Sequence, residues 1–179
     1  MTYHNSIILE SERLQFRAHV PADKDVYCAM EMDALVRRYV GGHPRTREDA
    51  EGRFMNALKP VSGKLNMWAT VFKQDDKYIG RCGIYPHFAG DGSVIPGEAS
   101  LGLYIAREYW GRGLATEAGE ALINMGFDEL KLNWVVTMVQ VGNEASVRVL
   151  QKLGSVIEWT ENNPNGRSFY HFELKNPRE

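Results

Sequence analysis

The spacing of hydrophobic and polar residues changes several times along the chain, and each change predicts a different element. Apolar and polar residues alternate from Leu14 to His19, which is typical of a half-buried strand. Pro21 opens the next segment, which carries apolar residues at helical spacing to about Leu35. Thr46 is a suitable N-cap for a second segment of the same kind. The first part of the chain is therefore predicted to fold as one strand followed by two helices.

The middle of the chain returns to the spacing of strands. Two strand-like segments, 67–72 and 78–85, flank a polar turn and predict an antiparallel hairpin. A stretch rich in glycine and proline, 86–97, predicts a loop. The remaining segments predict a strand, a helix, a strand, a short helix and two more strands, at 98–105, up to about 129, 132–141, 143–153, 156–159 and 168–174. This order predicts one mixed α/β domain over residues 1–179.

Composition narrows the class of protein. The chain has 179 residues, 44% hydrophobic, and a formal net charge of -2, which suits one globular domain and gives no basic footprint for nucleic acid. No apolar run approaches the roughly 20 residues that cross a bilayer, so no membrane contact is expected. No secretory signal is evident at the N-terminus, and a cytoplasmic protein is expected. Cys28 and Cys82 do not have the spacing of metal ligands, and the histidines do not have it either. No metal is therefore predicted.

A glycine-containing turn between the strand 98–105 and the following helix is the strongest candidate for chemistry. Gly111 and Gly113 let the backbone approach a phosphate closely, and Arg112 adds a cation between them. Free amides at the start of a helix, together with its dipole, favour an anion at such a turn. Neither the dinucleotide pattern nor the nucleotide-triphosphate loop matches here. On spacing alone, a phosphate site and a plain tight turn both remain open.

Two motifs in this context resemble those of the GNAT superfamily of acetyl-CoA-dependent N-acetyltransferases. The first combines 101–105 with 109–118, in which Gly113 and Ala115 match the cofactor motif and Trp110 stands in its first place. The second is 143–154. More narrowly, the chain is similar to the branch that includes ribosomal-protein N-terminal acetyltransferases. The resemblance implies a central, mostly antiparallel twisted sheet of about seven strands, splayed between the fourth and fifth, with helices on both faces.

The resemblance also implies acetyl-CoA as co-substrate. Amides of the glycine turn would hold its pyrophosphate, and its pantetheine arm would lie in the splayed gap beside a bulge at Gly102, with Asn143 on the other side. Asn143 can serve as a plain helix cap at the same time. The cofactor-binding residues implied in this way lie in the strand, the turn and the two helix starts: Leu103, Tyr104, Ile105, Trp110, Gly111, Arg112, Gly113, Leu114, Ala115, Thr116 and Asn143.

Acetyl transfer needs a neutral amine, a place for the oxyanion and a proton for the leaving thiolate. Glu98 is the first candidate for the base, with His87 or an ordered water as alternatives, although Glu98 can also be a solvated acid at a strand end. The tyrosine that many superfamily members use as the acid is replaced by Leu150. Ser146, three residues after Asn143 on the first turn of its helix, is the candidate acid, as the resemblance to relatives with a serine implies, and Tyr104 is the reserve. The competing role of Ser146 is to bond the helix cap.

The sequence leaves the acceptor open between a protein N-terminus and a small-molecule amine, and the assembly open between monomer and homodimer. The arginines near the loop between the first two helices, Arg37, Arg38, Arg45 and Arg47, are interpreted as solvated surface residues, and contact with an acidic substrate is the alternative. Glu117 is expected to stabilise the first turn of its helix and to point away from a bound phosphate. Loss of the usual tyrosine also leaves a non-catalytic acyl-CoA sensor or interaction module as an alternative function.

Overall fold

The computed structural model describes residues 7–163 and 166–178. Within these residues the strands are β1 (Ile7–Glu10), β2 (Leu14–Arg17), β3 (Asn66–Phe72), β4 (Lys77–Phe88), β5 (Val94–Ile105), β6 (Trp134–Gln140), β7 (Val156–Asn162) and β8 (Ser168–Lys175). The α-helices are α1 (Lys24–Met32), α2 (Ala34–Arg37), α3 (Arg47–Ala57), α4 (Leu114–Asp128) and α5 (Glu144–Lys152). Short 3₁₀ turns precede α1 and α4, at Pro21–Asp23 and Arg107–Tyr109.

All described strands form one sheet in the order β1-β2-β3-β4-β5-β6-β8-β7. Every neighbouring pair is antiparallel except β5 and β6, which are parallel. Helices cover both faces, because Arg81 on β4 contacts Tyr27 of α1, whereas Ile84, of opposite parity on the same strand, reaches Gly126 of α4. The predicted mixed α/β fold with a mostly antiparallel sheet is confirmed.

The sheet has one strand more than predicted, because β1 pairs with β2 at its edge. The splayed pair, counted as the fourth and fifth strands in the prediction, is therefore β5 and β6. The predicted loop 86–97 is also too long, since β4 continues to Phe88 and pairs there with Val94. Glycine and proline in this stretch do not end the strands, because Pro86 pairs with Ala99 and Gly97 takes a φ of +78° within β5.

The first predicted helix is broken near its end. Asp33 has extended backbone angles, and its side chain accepts hydrogen bonds from the backbone N–H groups of Leu35 and Val36. An aspartate that caps free amides in this way starts a new helix. The predicted cap of the next helix is confirmed, because the Thr46 hydroxyl accepts a hydrogen bond from the backbone N–H of Asp49 at 3.1 Å.

The parallel strands β5 and β6 separate soon after they meet. They pair only from Glu98 to Ser100, opposite Trp134 to Val136. One further link exists where they diverge, since Thr137 Oγ1 donates to the Leu101 carbonyl at 2.9 Å. Beyond it, the two strands leave a gap at their carboxyl ends, which is the predicted splay.

The expected bulge at Gly102 is wrong. The register between β4 and β5 runs without a shift from Gly80 opposite Ile105 to Pro86 opposite Ala99, and Gly102 lies within it opposite Gly83. The glycine is needed for a different reason. A Cβ at Gly102 would lie 2.8 Å from Sδ of Met67, so a larger residue would displace that side chain.

The core fills both sides of the sheet. Its largest fully buried side chains include Phe16, Phe54, Phe172 and Leu122. Among residues 7–163 and 166–178, no helix has the length and apolar character needed to cross a membrane. Pro164 and Asn165, in the predicted terminal turn, and the N-terminal residues 1–6 lie outside the described part of the chain.

Candidate active site

The glycine turn leads directly from the end of β5 into α4. Gly111 and Gly113 have φ angles of +74° and +77°, a conformation that favours glycine. Gly113 is the N-cap residue of α4, and its carbonyl accepts the first helical hydrogen bond from Glu117. The amides of Leu114, Ala115 and Thr116 therefore lie in the first turn, where a helix offers its N–H groups no internal partner. The Leu114 side chain is buried in the core, so this residue presents only its backbone to a ligand.

The turn is held from the side by the N-terminal hairpin. Glu117 accepts hydrogen bonds from Ser11 Oγ and from the backbone N–H and Nε of Arg13. Arg13 also donates from Nη1 to the carbonyl of Arg112 at 3.0 Å, while the Arg112 guanidinium lies over the Tyr109 ring. Burial alone would raise the pKa of Glu117, but the hydrogen bonds from Ser11 and Arg13 hold it below its ordinary value. The charge of Glu117 is thus directed at Arg13.

Backbone groups of β5 face the gap between the splayed strands. The Leu101 carbonyl accepts from Thr137 of β6, and the Ile105 carbonyl accepts from Nε1 of Trp110 at 2.7 Å. Backbone groups point to alternate sides along a strand, so those of Leu103, midway between these two residues, face the same gap. Trp110 is half exposed, and its indole closes the far end of this row of backbone groups.

The start of α5 lies on the other side of the gap. Both α4 and α5 follow the carboxyl ends of parallel neighbouring strands, so their first turns lie at the same edge of the sheet. Asn143 caps α5, because its Oδ1 accepts from the backbone N–H of Ser146 at 3.3 Å. The Ser146 hydroxyl itself has no hydrogen-bond partner within the described residues, so it is available to a ligand.

A polar cluster lies where β5 and β6 are still paired. His87 Nδ1 is 2.9 Å from Ser100 Oγ, and His87 Nε2 is 3.9 Å from Glu98 Oε2. The side chains of His87 and Glu98 are 30% and 27% exposed, so solvent can exchange protons with them. The two alternatives proposed for the base therefore belong to one cluster, with the imidazole between the hydroxyl and the carboxylate.

Tyr104 has a different environment from its neighbours on β5. Its ring lies under the Arg81 guanidinium, 4.7 Å from the ring centroid. Arg81 also stacks on Tyr27 and donates to Glu31. Tyr104 thus belongs to a cationic cluster on the α1 side of the sheet.

The interpretation of all four arginines near α2 as solvated is wrong for two of them. Arg37 is 5% exposed and pairs with Glu31 at 3.5 Å, and Arg45 pairs with the same carboxylate at 2.7 Å. Arg38 and Arg47 are exposed, as expected. The sequence did contain a signal for this cluster, because Arg81 interrupts an apolar strand segment and Glu31 lies one helical turn after Tyr27.

Within the described residues, no group of three or more histidine, cysteine, aspartate or glutamate side chains is placed to hold a metal ion. Cys28 and Cys82 are buried and unpaired. Burial raises the pKa of the Cys82 thiol to about 11, despite hydrogen bonds with Thr70 and the Tyr104 backbone. Neither thiol is suited to nucleophilic chemistry.

Comparison with known proteins identifies one family. The family model of the acetyltransferase (GNAT) domain matches residues 13–156. The chain is 31% identical over 150 residues to the uncharacterized N-acetyltransferase p20 of Bacillus licheniformis, which covers 81% of this chain and 80% of that protein. The family match spans both motifs, the splayed strands and the polar cluster.

Solved structures share the fold at low sequence identity. The spermidine N-acetyltransferase from Vibrio cholerae, in complex with CoA and spermine, has a TM-score of 0.74 and 17% identity over 93% of this chain and 97% of its own. The ribosomal-protein-S5-alanine acetyltransferase from Vibrio fischeri has a TM-score of 0.71 and 21% identity over 94% and 96%. These two neighbours are named for different acceptors, so the shared fold does not decide the acceptor.

Proposed function

Because the chain belongs to the GNAT acetyltransferase family, we propose that it transfers an acetyl group from acetyl-CoA to a primary amine by direct attack on the thioester. The observation that carries the proposal is the gap between the parallel strands β5 and β6, with a helix start on each side and a turn of left-handed glycines at its open end. A protein N-terminal amine and a small-molecule amine are both acceptors of the required chemistry.

We assign the cofactor to the gap because of the groups that line it. Amides from Gly111 to Thr116 would bind the pyrophosphate, which the helix dipole of α4 also favours. The pantetheine arm would pair with the backbone of Leu103 in the manner of an added strand. The carbonyls of Leu101 and Ile105 already accept from Thr137 and Trp110, so Leu103 offers the free groups between them. Asn143, at the start of α5, would contact the arm from the opposite side.

The amine must lose a proton before or during attack. A terminal α-amine costs about 1 kcal/mol to deprotonate at pH 7, whereas a lysine costs about 4–5 kcal/mol. We assign the base to neutral His87, with the Glu98 carboxylate stabilising the imidazolium that forms. The Ser100 hydroxyl, 2.9 Å from Nδ1, fixes the orientation of the ring. This assignment keeps Glu98 in the reaction but makes the imidazole the group that accepts the proton.

The transfer itself then follows in balanced steps. The amine nitrogen attacks the thioester carbonyl carbon, and the proton of the amine passes to His87. The tetrahedral intermediate collapses by breaking its carbon–sulfur bond, and the thiolate takes a proton from the Ser146 hydroxyl, which regains one from solvent. No covalent enzyme intermediate is needed, because the thioester is already an activated acyl donor.

Thiol release with acetyl-CoA and a panel of peptides and small amines tests the proposal. The protein's own thiols are buried, so the signal reports coenzyme A. Turnover of at least one amine supports the proposal, and calorimetry should detect CoA binding in the same preparation. Binding of CoA with no release from any amine would indicate the alternative, a non-catalytic acyl-CoA sensor. Absence of CoA binding would contradict both functions.

A further inference from the structure

Glu31 is the centre of a cluster that the acetyl-transfer chemistry does not require. Its carboxylate is 2% exposed and contacts three arginines from three different elements. Arg45, before α3, lies 2.7 Å from Oε2, and Arg37 of α2 lies 3.5 Å from the same oxygen. Arg81 of β4 donates to Oε1. One buried acid therefore serves three guanidinium groups.

The cluster has more positive than negative charge. Three arginines and one glutamate leave a net charge of +2 (three minus one) in a largely desolvated place. Burial opposes the charge of Glu31, but Arg81, Arg37 and Arg45 lower its pKa, so it stays ionised. Burial also lowers the pKa of Arg37; Glu31 opposes that shift, and Arg45 adds to it. An excess of buried charge is costly unless a partner of opposite charge is supplied.

Unused hydrogen-bond donors are available for such a partner. Arg45 engages Glu31 through Nε only, and no described residue accepts from its two Nη atoms. Its side chain is 24% exposed, so a ligand can reach it. Arg81 likewise uses only Nη2 for Glu31, while its planar face is held between the rings of Tyr27 and Tyr104. A guanidinium presented in this way matches a carboxylate geometrically.

The cluster lies on the same sheet face as the proposed base. Arg81 is opposite Tyr104 and Tyr85 is opposite Ser100, and side chains at alternate positions of a strand share a face. Ser100, which contacts His87, is four residues from Tyr104, or about 13 Å along the strand. An acceptor that reaches the base can therefore extend toward the arginines on this face, passing over Met67, which covers Gly102 between them.

The segment between α2 and α3 connects the cluster with the far side of the gap. Gly142 is next to the cap of α5. A Cβ at Gly142 would lie 3.7 Å from the ring of Tyr39, so this ring lies beside the start of α5. Arg167, which follows β7, donates to the Gly41 carbonyl at 3.2 Å. The segment that carries Arg45 thus reaches from the cluster to the start of α5.

From this arrangement, and resting on the proposed function, we propose that the acceptor is an amine that also carries a carboxylate, which Arg45 and Arg81 bind beside Glu31. An acidic residue near a peptide N-terminus and a small amino acid both have this chemistry. The cluster selects the acceptor by charge, and the cofactor is bound in the gap between β5 and β6.

Matched acceptors test the proposal. Peptides that differ only by aspartate or asparagine at one of their first three residues are compared, together with glutamate and glutamine as small acceptors. We expect the acidic member of at least one pair to have a kcat/KM at least about tenfold higher, since one guanidinium–carboxylate pair supplies roughly 1.4 kcal/mol or more. The pair that responds identifies a peptide or a small amino acid as the source of the carboxylate.

Variants of two neighbouring arginines provide the control. R45Q should remove most of the preference for acidic acceptors. R47Q makes the same charge change at an exposed residue that pairs with Glu51, so it should leave the preference for acidic acceptors unchanged. R45K keeps the charge but loses the planar fork, so it should give an intermediate preference. Thermal melting checks that each variant folds. Equal kcat/KM for acidic and amide acceptors in the wild type would overturn the proposal while leaving acetyl transfer intact.

A binding measurement separates this proposal from the proposed function. Calorimetry compares the acetylated acidic and amide peptides on the CoA complex, without turnover. Tighter binding of the acidic peptide supports the carboxylate site even if no amine releases thiol, a result that would contradict only the proposed function. Equal affinities, or no binding of either peptide, overturn the carboxylate site. Weaker CoA binding by R45Q also overturns it, because the anion would then belong to the cofactor.

Discussion

Arg13 and Glu117 join the first hairpin to the glycine turn through a bond of 2.6 Å between Nε and Oε2. The two residues are 104 positions apart in the chain. Arg13 reaches on from this bond to the Arg112 carbonyl, so the pair fixes both the first turn of α4 and the backbone that precedes it. The position of the proposed phosphate loop therefore depends on a contact with the edge of the sheet.

E117Q tests this dependence. The substitution keeps the shape of the side chain but replaces a carboxylate that accepts three hydrogen bonds, so we expect a loss of about 1–3 kcal/mol in the free energy of unfolding. CoA affinity should fall as well, because the turn loses its support. E120Q, three residues later on an exposed part of α4, is the matched control. Equal effects of the two substitutions would contradict the role of Glu117.

The same ion pair gives a pH dependence of known sign. The folded-state pKa of Glu117 lies below its unfolded-state pKa, which is about 4.3. The stability that Glu117 contributes is therefore fully present above about pH 4.3 and is lost as the pH falls through the folded-state pKa. In denaturant titrations from pH 6 to pH 3, the free energy of unfolding should fall less for E117Q than for the wild type.

The glycines of the turn can be tested against a glycine in a helix. G113A places a Cβ at a φ of +77° and should destabilise the protein by about 1 kcal/mol, whereas G52A, in α3 with nothing within 4 Å, should stabilise it by up to about 1 kcal/mol. G113E adds bulk and negative charge and should abolish CoA binding in calorimetry. Unchanged affinity in G113E would remove the phosphate assignment.

Local patterns were sufficient for those elements whose signals are local. The caps Thr46 and Asn143 and the glycine turn could be predicted because a cap or a left-handed glycine depends on a few adjacent residues. Strand β1 was missed because four residues at a sheet edge carry too short a pattern. The Glu31 cluster was missed because its members come from four separate segments. Arg81 within an apolar strand segment indicates one buried charge, but its position does not identify the partners.

His19 provides a second pH-dependent test, on the α1 side of the sheet. The imidazole is buried between Tyr27 and Tyr78, and its Nε2 has no hydrogen-bond partner among the described residues. Burial lowers its pKa from 6.5 to about 4, with Asp23 opposing the shift. The unfolded chain therefore binds the proton first, so stability should fall by about 3 kcal/mol between pH 6.5 and pH 4. H19F should flatten the dependence of stability on pH between pH 6.5 and pH 4. An unchanged slope would show that other groups cause this dependence.

His87 and Glu98 can be separated as base and support by their pH–rate profiles. H87Q should lower kcat/KM by about 100-fold and remove the fall in rate at acidic pH that protonation of an imidazole base gives, because His87 is the imidazole that contacts Ser100. E98Q should lower kcat/KM by a smaller factor, since it leaves the imidazole in place. A larger loss in E98Q than in H87Q would return the role of base to Glu98.

S146A decides whether the hydroxyl at the start of α5 acts on the thiolate. The backbone N–H of this residue, which Asn143 caps, remains in the variant, and alanine is a good helix former, so the fold and the CoA affinity should be preserved. If Ser146 supplies the proton, kcat should fall by roughly 10- to 100-fold at nearly constant KM for acetyl-CoA. S93A makes the same change in the turn between β4 and β5 and should leave kcat unaltered. An acceptor that releases thiol at the wild-type rate in S146A would leave Ser146 a residue of the helix cap alone, and the thiolate would then take its proton from solvent.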